Sequence, residues 1–291
     1  MMGTVRERAR SEASAAMDRA DIDIEVIHQA GEAQAACDLF NRVWHMPPGA
    51  DVLELSTVVA LAHSGNYVVL AREPRRSHAG DDDPAPRRVI GASLGFFGPP
   101  GQPMHSHITG VAHGATGRGV GRALKLHQRS WALDCGVTQI TWTYDPLVAR
   151  NAFFNIAKIG ARAVAYYPDH YGPMVDGLNA GQGSDRVLLR WDLETDLPTK
   201  MTGRHTSGVV RHAALSNAGG APSAVDVDDV ERPDIITIEV PDDIEAVRRV
   251  DPDLAIRWRL ATRIAFTSRF DSGWQVTGIE APARYILTRE H

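Results

Sequence analysis

A mixed α/β fold with a parallel βαβ unit at its centre is what this sequence predicts, and three observations carry the prediction. Two strand-length apolar segments, Met104 to Ala112 and Val137 to Tyr144, flank a stretch with apolar residues at helical spacing, Gly119 to Asp134. Two strands joined through such a helix must lie parallel. The run GATGRGVGRAL, Gly114 to Leu124, joins the first strand to the helix. Upstream, NYVVLAR (Asn66 to Arg72) and VIGASLGFF (Val89 to Phe97) read as two strands of a hairpin.

The other elements follow in order. The first 21 residues mix Arg, Glu and Ala without a clear apolar face, which predicts a frayed helix or a disordered arm. Ile22 to Gln29 alternates like a half-buried strand, and Glu32 to His45 and Val52 to Ala62 carry helical patterns. The connection from Pro74 to Arg88 holds Asp81, Asp82 and Asp83 among Pro and Gly, a composition suited to a solvated excursion. After the central helix, closed by Gly136, come a helix from Leu147 to Ile159 ended by Gly160, and strands at Ala161 to Tyr167 and Arg186 to Leu193. Residues 22–193 thus form one expected domain. Residues 194–233 read as a linker with a short helix around Val209 to Leu215. Residues 234–291 then give a small β-α-β-β subdomain: strand Ile235 to Val240, helices Asp242 to Arg249 and Leu254 to Phe270, strands Trp274 to Glu280 and Arg284 to Arg289.

Bulk properties narrow the function classes. A chain of 291 residues with 43% hydrophobic and 23% charged residues is an ordinary globular composition, and a net charge of -5 gives no basis for general affinity toward nucleic acid. Any anion site must be local. The two cysteines, Cys37 and Cys135, sit in helix-like apolar patterns and predict packed, reduced thiols; two are too few for a disulfide scaffold. No apolar run reaches membrane-spanning length and the first residues lack a signal-peptide core, so a cytoplasmic protein without membrane contact is expected.

The glycine run carries the chemistry. Glycines remove side chains that would hold a phosphate away from backbone N–H groups, and the following helix aims its unpaired amides and positive dipole end at the same spot. A dinucleotide fold also joins strand to helix this way, but there the loop opens the domain and an acidic residue follows roughly 20 residues on. Neither holds here. A P-loop is excluded because no Gly-Lys-Ser/Thr ends the run. A tight turn that needs glycines for itself is the plain structural alternative.

These residues resemble the GCN5-related N-acetyltransferase (GNAT) superfamily. The likeness covers Ile22 to Leu193 by element order and is sharpest from Met104 to Gly160. The family signature is Gln or Arg, two residues, Gly, one residue, then Gly or Ala. Here TGRGVG fills that frame, with Gly119 and Gly121 at the glycine positions and Thr116 in the Gln/Arg position. The resemblance implies a splayed mixed central sheet flanked by helices, and a coenzyme A diphosphate held at Thr116, Gly117, Arg118, Gly119, Val120, Gly121 and Arg122. Val111 and His113 flank that site, and an N–H near Val111 polarises the thioester carbonyl. ARNAFFNIAKIGA resembles the family helix; on it Asn151 and Asn155, one helical turn apart, suit either the pantetheine amides or the capping and solvation of the helix itself. The tyrosine often used there as general acid has no counterpart, since Ile156 fills its position. The whole length also looks like a less studied branch with a C-terminal extension.

Several groups have chemistry suited to catalysis or to holding the acceptor. His107, one strand period from His105, suits the base that deprotonates an ammonium nucleophile; a metal-ligating role for the pair lacks an acidic or cysteine partner. Tyr144, at the carboxyl edge of its strand, suits the acid that protonates the leaving thiolate, or else caps the core; Asp145 is a natural helix N-cap. The loop YYPDHYG offers Tyr167, Asp169 and His170 to an acceptor pocket, and Arg150 and Arg186 suit an acceptor carboxylate. Trp258 and Arg257 are read as packing and solvating residues.

Two functions follow. The first is an acyl-CoA-dependent N-acyltransferase that transfers acetyl, or a larger acyl such as succinyl, to the amine of a small molecule such as an amino acid. The second is a non-catalytic acyl-CoA-binding module. A homo-oligomer through the C-terminal segment is compatible with either.

Overall fold

The computed structural model describes residues 2–74, 87–174, 182–198, 210–224 and 233–289. It opens with α1 (Met2–Ala20), β1 (Asp23–Val26), α2 (Ala30–Val43), α3 (Leu55–His63), β2 (Tyr67–Arg72), β3 (Val89–Phe96) and β4 (Met104–Val111). A single 3-10 turn (His113–Ala115) leads to α4 (Val120–Asp134) and β5 (Gln139–Tyr144). Then come α5 (Ala149–Phe153), a π turn (Phe154–Ile159), β6 (Arg162–Tyr167), β7 (Arg186–Asp192), β8 (Arg211–Ala218) and β9 (Ala221–Ala224). The chain ends through β10 (Ile235–Glu239), α6 (Ile244–Val250), α7 (Pro252–Asp271), β11 (Gln275–Glu280) and β12 (Arg284–Thr288). Two compact units result, Met1–Thr141 with Asp192–Glu194, and Trp142–Trp191 with Thr195–His291.

In the first unit β1 to β4 form an antiparallel meander, with Ile24 opposite Ala71, Val69 opposite Ser93 and Ser93 opposite Thr109. The predicted hairpin is β2 with β3. Met104 pairs with Ile140 and His105 with Thr141 in parallel, as the crossover through α4 requires. α2 and α3 cover one face of the sheet, burying Leu39, Phe40 and Val58 against Val68, Leu70 and Leu94. α4 lies on residues of the opposite parity, where a methyl at Gly91 would meet Val120 Cγ1 at 2.9 Å.

The N-terminal segment corrects its reading as a frayed or disordered arm. α1 packs along α4, burying Ala9, Ala13, Ala16 and Ala20 to between 1 and 5% exposure. Those alanines recur at helical spacing, and a face this small lets two helices approach closely. Because α1 lies over it, Arg129 on α4 is fully buried, paired with Glu12 and donating through Nε to Leu193 O at 2.9 Å.

The described strands of the second unit run in the order β7-β6-β11-β12-β10-β8-β9. β11 and β12 are the expected hairpin, and β11 also touches β6 through Val276 and Ala163. α7 buries Trp258 and Phe266; the latter stacks on Tyr166 at 5.5 Å and meets Tyr285 edge-on at 5.0 Å. Trp258 Nε1 donates to Gly220 O at 3.0 Å, and Arg257 is exposed, both in line with the packing and solvating roles expected of them.

Three further expectations change. The short helix read over Val209 to Leu215 is instead β8, paired parallel with β10 and antiparallel with β9; Val209 itself lies outside the described residues. Gly219 and Gly220, at φ 61° and 94°, form the two-residue turn between β8 and β9, and a Gly-Gly pair is a hairpin signal. The single helix from Leu147 to Ile159 is α5 followed by a π turn, closed by Gly160 at φ 83°. Cys37 is buried as expected, whereas Cys135 is exposed because it ends α4; both thiols are free. The acidic triplet Asp81 to Asp83 lies outside the described residues.

Candidate functional site

The glycine loop sits where β4 gives way to α4. Gly117 and Gly119 hold φ of 82° and 90°, a region that side chains resist, so the turn itself needs them. Gly121 is different. Its φ is unremarkable, and a methyl there would meet only Val111 Cγ2 at an ordinary 3.8 Å, so nothing in the protein requires a glycine. Glycine inside the first turn of a helix costs about 1 kcal/mol relative to alanine.

The amides around that glycine are unengaged. Thr116 N–H reaches His113 O at 3.3 Å and Arg118 N–H reaches Ala115 O at 3.4 Å, while the helical ladder begins only with Ala123 N–H to Gly119 O at 3.0 Å. Among the described residues, the N–H groups of Gly117, Gly119, Val120 and Gly121 have no acceptor. They gather at the positive end of α4, as the sequence predicts for an anion cradle. The arginines contribute less than expected: Arg118 turns to Glu73 Oε1 at 3.0 Å, and Arg122 has its pKa lowered by burial and by nearby Arg19. Thr116 Oγ1 donates to His113 O at 2.6 Å, holding the turn before the cradle.

β4 supplies a second feature. Ala112 N–H donates to Ile90 O at 2.8 Å, so by the alternation of an antiparallel ladder Val111 N–H points away from β3. Leu94 faces Ile108 while Gly95 faces Ser106, which makes His107 the extra residue of a β-bulge. The rings of His105 and His107 lie 6.0 Å apart, with Phe96 at 5.2 and 5.9 Å, so the two imidazoles share a face as expected. His107 keeps access to solvent, yet desolvation of its ring lowers its pKa and holds it neutral and proton-accepting near pH 7. No cluster of three metal-ligating side chains occurs among the described residues. His113 is exposed, its ring edge-on to that of His45 at 6.0 Å.

Candidates in the second unit are mostly held by structural contacts. Tyr144 is buried, its hydroxyl 3.0 Å from that of Tyr285, which donates to Pro146 O at 2.8 Å. Burial raises the Tyr144 pKa against the opposing hydrogen bond from Tyr285. Asp145 accepts from Leu147 N–H at 2.9 Å, from Arg259 at 2.7 and 2.6 Å, and from Arg248 at 2.8 Å. Burial alone would raise its pKa; the two guanidiniums outweigh that and hold it well below the carboxylate range. Arg150 forms a two-point pair with Glu245 at 2.9 and 2.6 Å. Arg186 is buried, donating to Asp185 O at 2.8 Å with its guanidinium over Tyr171 at 5.3 Å. Neither arginine stands open to an acceptor.

The aromatic loop is pinned rather than loose. Asp169 N–H donates to Asp185 Oδ1 at 3.1 Å, and Arg263 clasps Asp169 and Asp185 at 2.9 and 2.6 Å. On that support His170 stacks on Tyr167 at 5.1 Å and meets Tyr171 at 4.6 Å, an exposed aromatic platform. Asn151 is exposed. Asn155 is 6% exposed, and its side-chain amide has no partner among the described residues.

The sequence reading missed a polar cluster beneath β4. Lys125 is buried with its Nζ 2.8 Å from Ser106 Oγ and 3.3 Å from Gln128 Oε1, and burial lowers its pKa to about 7. Beside it, burial lowers the His127 pKa to about 4, with Nδ1 3.0 Å from the Tyr67 hydroxyl. The signal was available in outline, since a lysine between Leu124 and Leu126 is buried once both sides of the helix are covered.

No family model matches this sequence, and no curated protein does. Solved structures do. The chain resembles GNAT acetyltransferases. One from Desulfovibrio desulfuricans is 17% identical, covers 59% of this chain and 99% of its own, and superposes with a TM-score of 0.42. The ribosomal-protein-S18-alanine N-acetyltransferase of Escherichia coli is 13% identical over 64% and 98%, at 0.43. An acetyltransferase from Salmonella typhimurium, solved with acetyl-CoA, is 14% identical over 60% and 95%, also at 0.43. At such distances the functional reading rests on this chain's own residues. No described helix is long and apolar enough to cross a membrane.

Proposed function

We propose that this chain is a GNAT-type, acyl-CoA-dependent N-acyltransferase whose acceptor is a small-molecule amine. The observation that carries the reading is Gly121: a glycine the fold does not need, at the centre of four unengaged amides on a helix N-terminus. A ligand that comes against the backbone explains both. The twin phosphates of coenzyme A match that cradle in charge.

With the carrier so held, Val111 N–H suits the developing oxyanion of the thioester carbonyl; removing one such donor costs about 3 kcal/mol in other enzymes. The acceptor's ammonium loses a proton to His107, the free amine attacks the carbonyl carbon, and the tetrahedral intermediate expels the thiolate, which takes the second proton from nitrogen. The carrier is acetyl-CoA or a larger acyl-CoA. Arg150 and Arg186 drop out as carboxylate clamps because Glu245 and the Asp185 carbonyl already hold them.

One observation favours a non-catalytic acyl-CoA-binding module as the second reading: Ile156 fills the position of the family acid, and the Tyr144 hydroxyl is engaged with Tyr285. Calorimetry with acetyl-CoA, followed by thiol release over an amine panel, separates the readings. Gly121→Val is expected to weaken acetyl-CoA binding by at least tenfold while unfolding at nearly the same denaturant concentration. Unchanged affinity in that variant would remove the cradle and both readings with it. Binding without amine-dependent thiol release selects the module.

A further inference from the structure

Beside the cradle, on the face of the sheet covered by α2, lies a cavity of about 400 Å³ lined by Ala35, Asp38 and Arg42 of α2 and by Arg88, Val89 and Ala112. Its size is that of a small-ligand site. Its electrostatics are uneven. Near the start of the β2–β3 pair, Arg72 and Arg87 are neutralised by Glu25 and Asp23. Arg88, one residue on, makes no ion pair among the described residues, and neither does Arg42 across the cavity. Among the described residues of the lining Asp38 is the one carboxylate, and it accepts from Gln34 Nε2 at 2.8 Å. Two guanidiniums against one carboxylate, over a floor of Val89, Ala112 and Ala35, leave a net positive recess.

Its position ties it to the loop. Arg88 Nη2 lies 3.8 Å from where a Cβ on Gly114 would stand, which puts the guanidinium beside the residue that leads into the cradle. We infer that this Arg42–Arg88 cavity is a second anion site, built for a phosphate monoester, and that in the acyl carrier it takes the 3′-phosphate of the ribose. The inference rests on the acyl-CoA reading for its source of phosphate and on the cavity for its chemistry. A phosphate monoester is close to a dianion above pH 7 and offers three acceptor oxygens, which two guanidiniums answer in charge and in donors. In coenzyme A that group is one ribose away from the diphosphate, and the cavity adjoins the diphosphate loop.

The test uses the full chain in phosphate-free buffer of low ionic strength at pH 7.5. Titration calorimetry with coenzyme A, 3′-dephospho-coenzyme A and inorganic phosphate is run on the native protein and on the Arg42→Ala/Arg88→Ala variant. Both side chains are exposed, so an unchanged thermal melt is the control for folding. Native protein is expected to bind coenzyme A at least tenfold more tightly than the dephospho form. The double variant is expected to erase that gap without altering affinity for the dephospho form, and Asp38→Asn to widen it. If the native protein binds both forms equally but binds inorganic phosphate only with its arginines, the site stands and the phosphate comes from another molecule. If the variant changes none of the three titrations, the inference is overturned. Loss of both coenzyme A forms in the native protein, with arginine-dependent phosphate binding retained, would instead break the acyl-carrier reading and leave the cavity.

Discussion

The turn after β4 and the turn after β5 both stand at the carboxyl end of a strand, and both were read as functional. They use their polar groups in opposite ways. After β4, the N–H groups of Gly117, Gly119, Val120 and Gly121 are left without acceptors. After β5, Tyr144 is bonded to Tyr285, and Asp145 is saturated by Arg248, Arg259 and a backbone amide. Polar groups without partners inside a fold are costly unless a ligand or water meets them. The first turn leaves its amides to water or to a ligand, and the second spends its polar groups on the protein itself.

Removing the carboxylate of Asp145 should break this contrast most visibly. Asp145→Asn leaves the Arg259 guanidinium, 2% exposed, facing a neutral amide, and breaking a buried pair in this way costs about 3–5 kcal/mol. The expected outcome is a large fall in the urea midpoint of the transition that reports the second unit. A midpoint unchanged within error would mean that the cluster is not what holds α7 to the end of β5.

A second test uses pH on the first unit. Lys125 titrates near 7 when folded and near its ordinary 10.5 when unfolded, so between those values the unfolded chain holds a proton that the native chain has given up. Stability from this group therefore rises with pH from about 7 toward 10 and is flat below 7. Lys125→Met is expected to flatten that rise in denaturant titrations at pH 7, 8, 9 and 10, and to be more stable than the native chain at pH 7. A rise of equal slope in the variant would assign it to another group.

What was legible in the sequence follows the same division between backbone and side-chain partnership. The crossover β4–α4–β5, the β2–β3 pair and the turn glycines Gly117 and Gly119 depend on local pattern, and local pattern predicts them. α1 was misread because four alanines carry little hydrophobic signal, though their spacing marks a face. The β8–β9 hairpin was misread because its alanines favour helix, while Gly219 and Gly220 announced the turn. The engagement of Arg150 by Glu245 and of Asp145 by Arg259 joins residues about a hundred positions apart, and no window along the chain contains both.

His107 sharpens the comparison on the catalytic side. Its bulge position on β4 and its lowered pKa suit a base, and general-base contributions are typically 10²–10⁴-fold. His107→Ala is expected to lower turnover by about 10²-fold with coenzyme A affinity nearly unchanged. If His107 is the base of the proposed acyl transfer, the acid limb of the native protein's pH–rate profile falls below 6.5, the ordinary histidine value, because the neutral form is the active one. Turnover unaffected by the substitution would retire His107 from this role.

The smallest effect is the one that decides whether the two turns cooperate in chemistry. Tyr144→Phe removes a hydroxyl whose partner, Tyr285, keeps its own bond to Pro146 O, so the structural loss is about 1 kcal/mol. If Tyr144 also protonates the leaving thiolate, turnover falls far more than stability does, and it falls most with acyl groups whose thiolate leaves last. If the hydroxyl serves only the core, the Phe variant turns over like the native protein while melting slightly earlier. The burial-raised pKa of Tyr144 keeps its proton in place across the whole working range, so the second outcome is the one expected from its surroundings. A turnover loss beyond tenfold with an unchanged melt would overturn the division drawn between the two strand ends, because a group wholly engaged in packing would then be shown to reach the reacting sulfur.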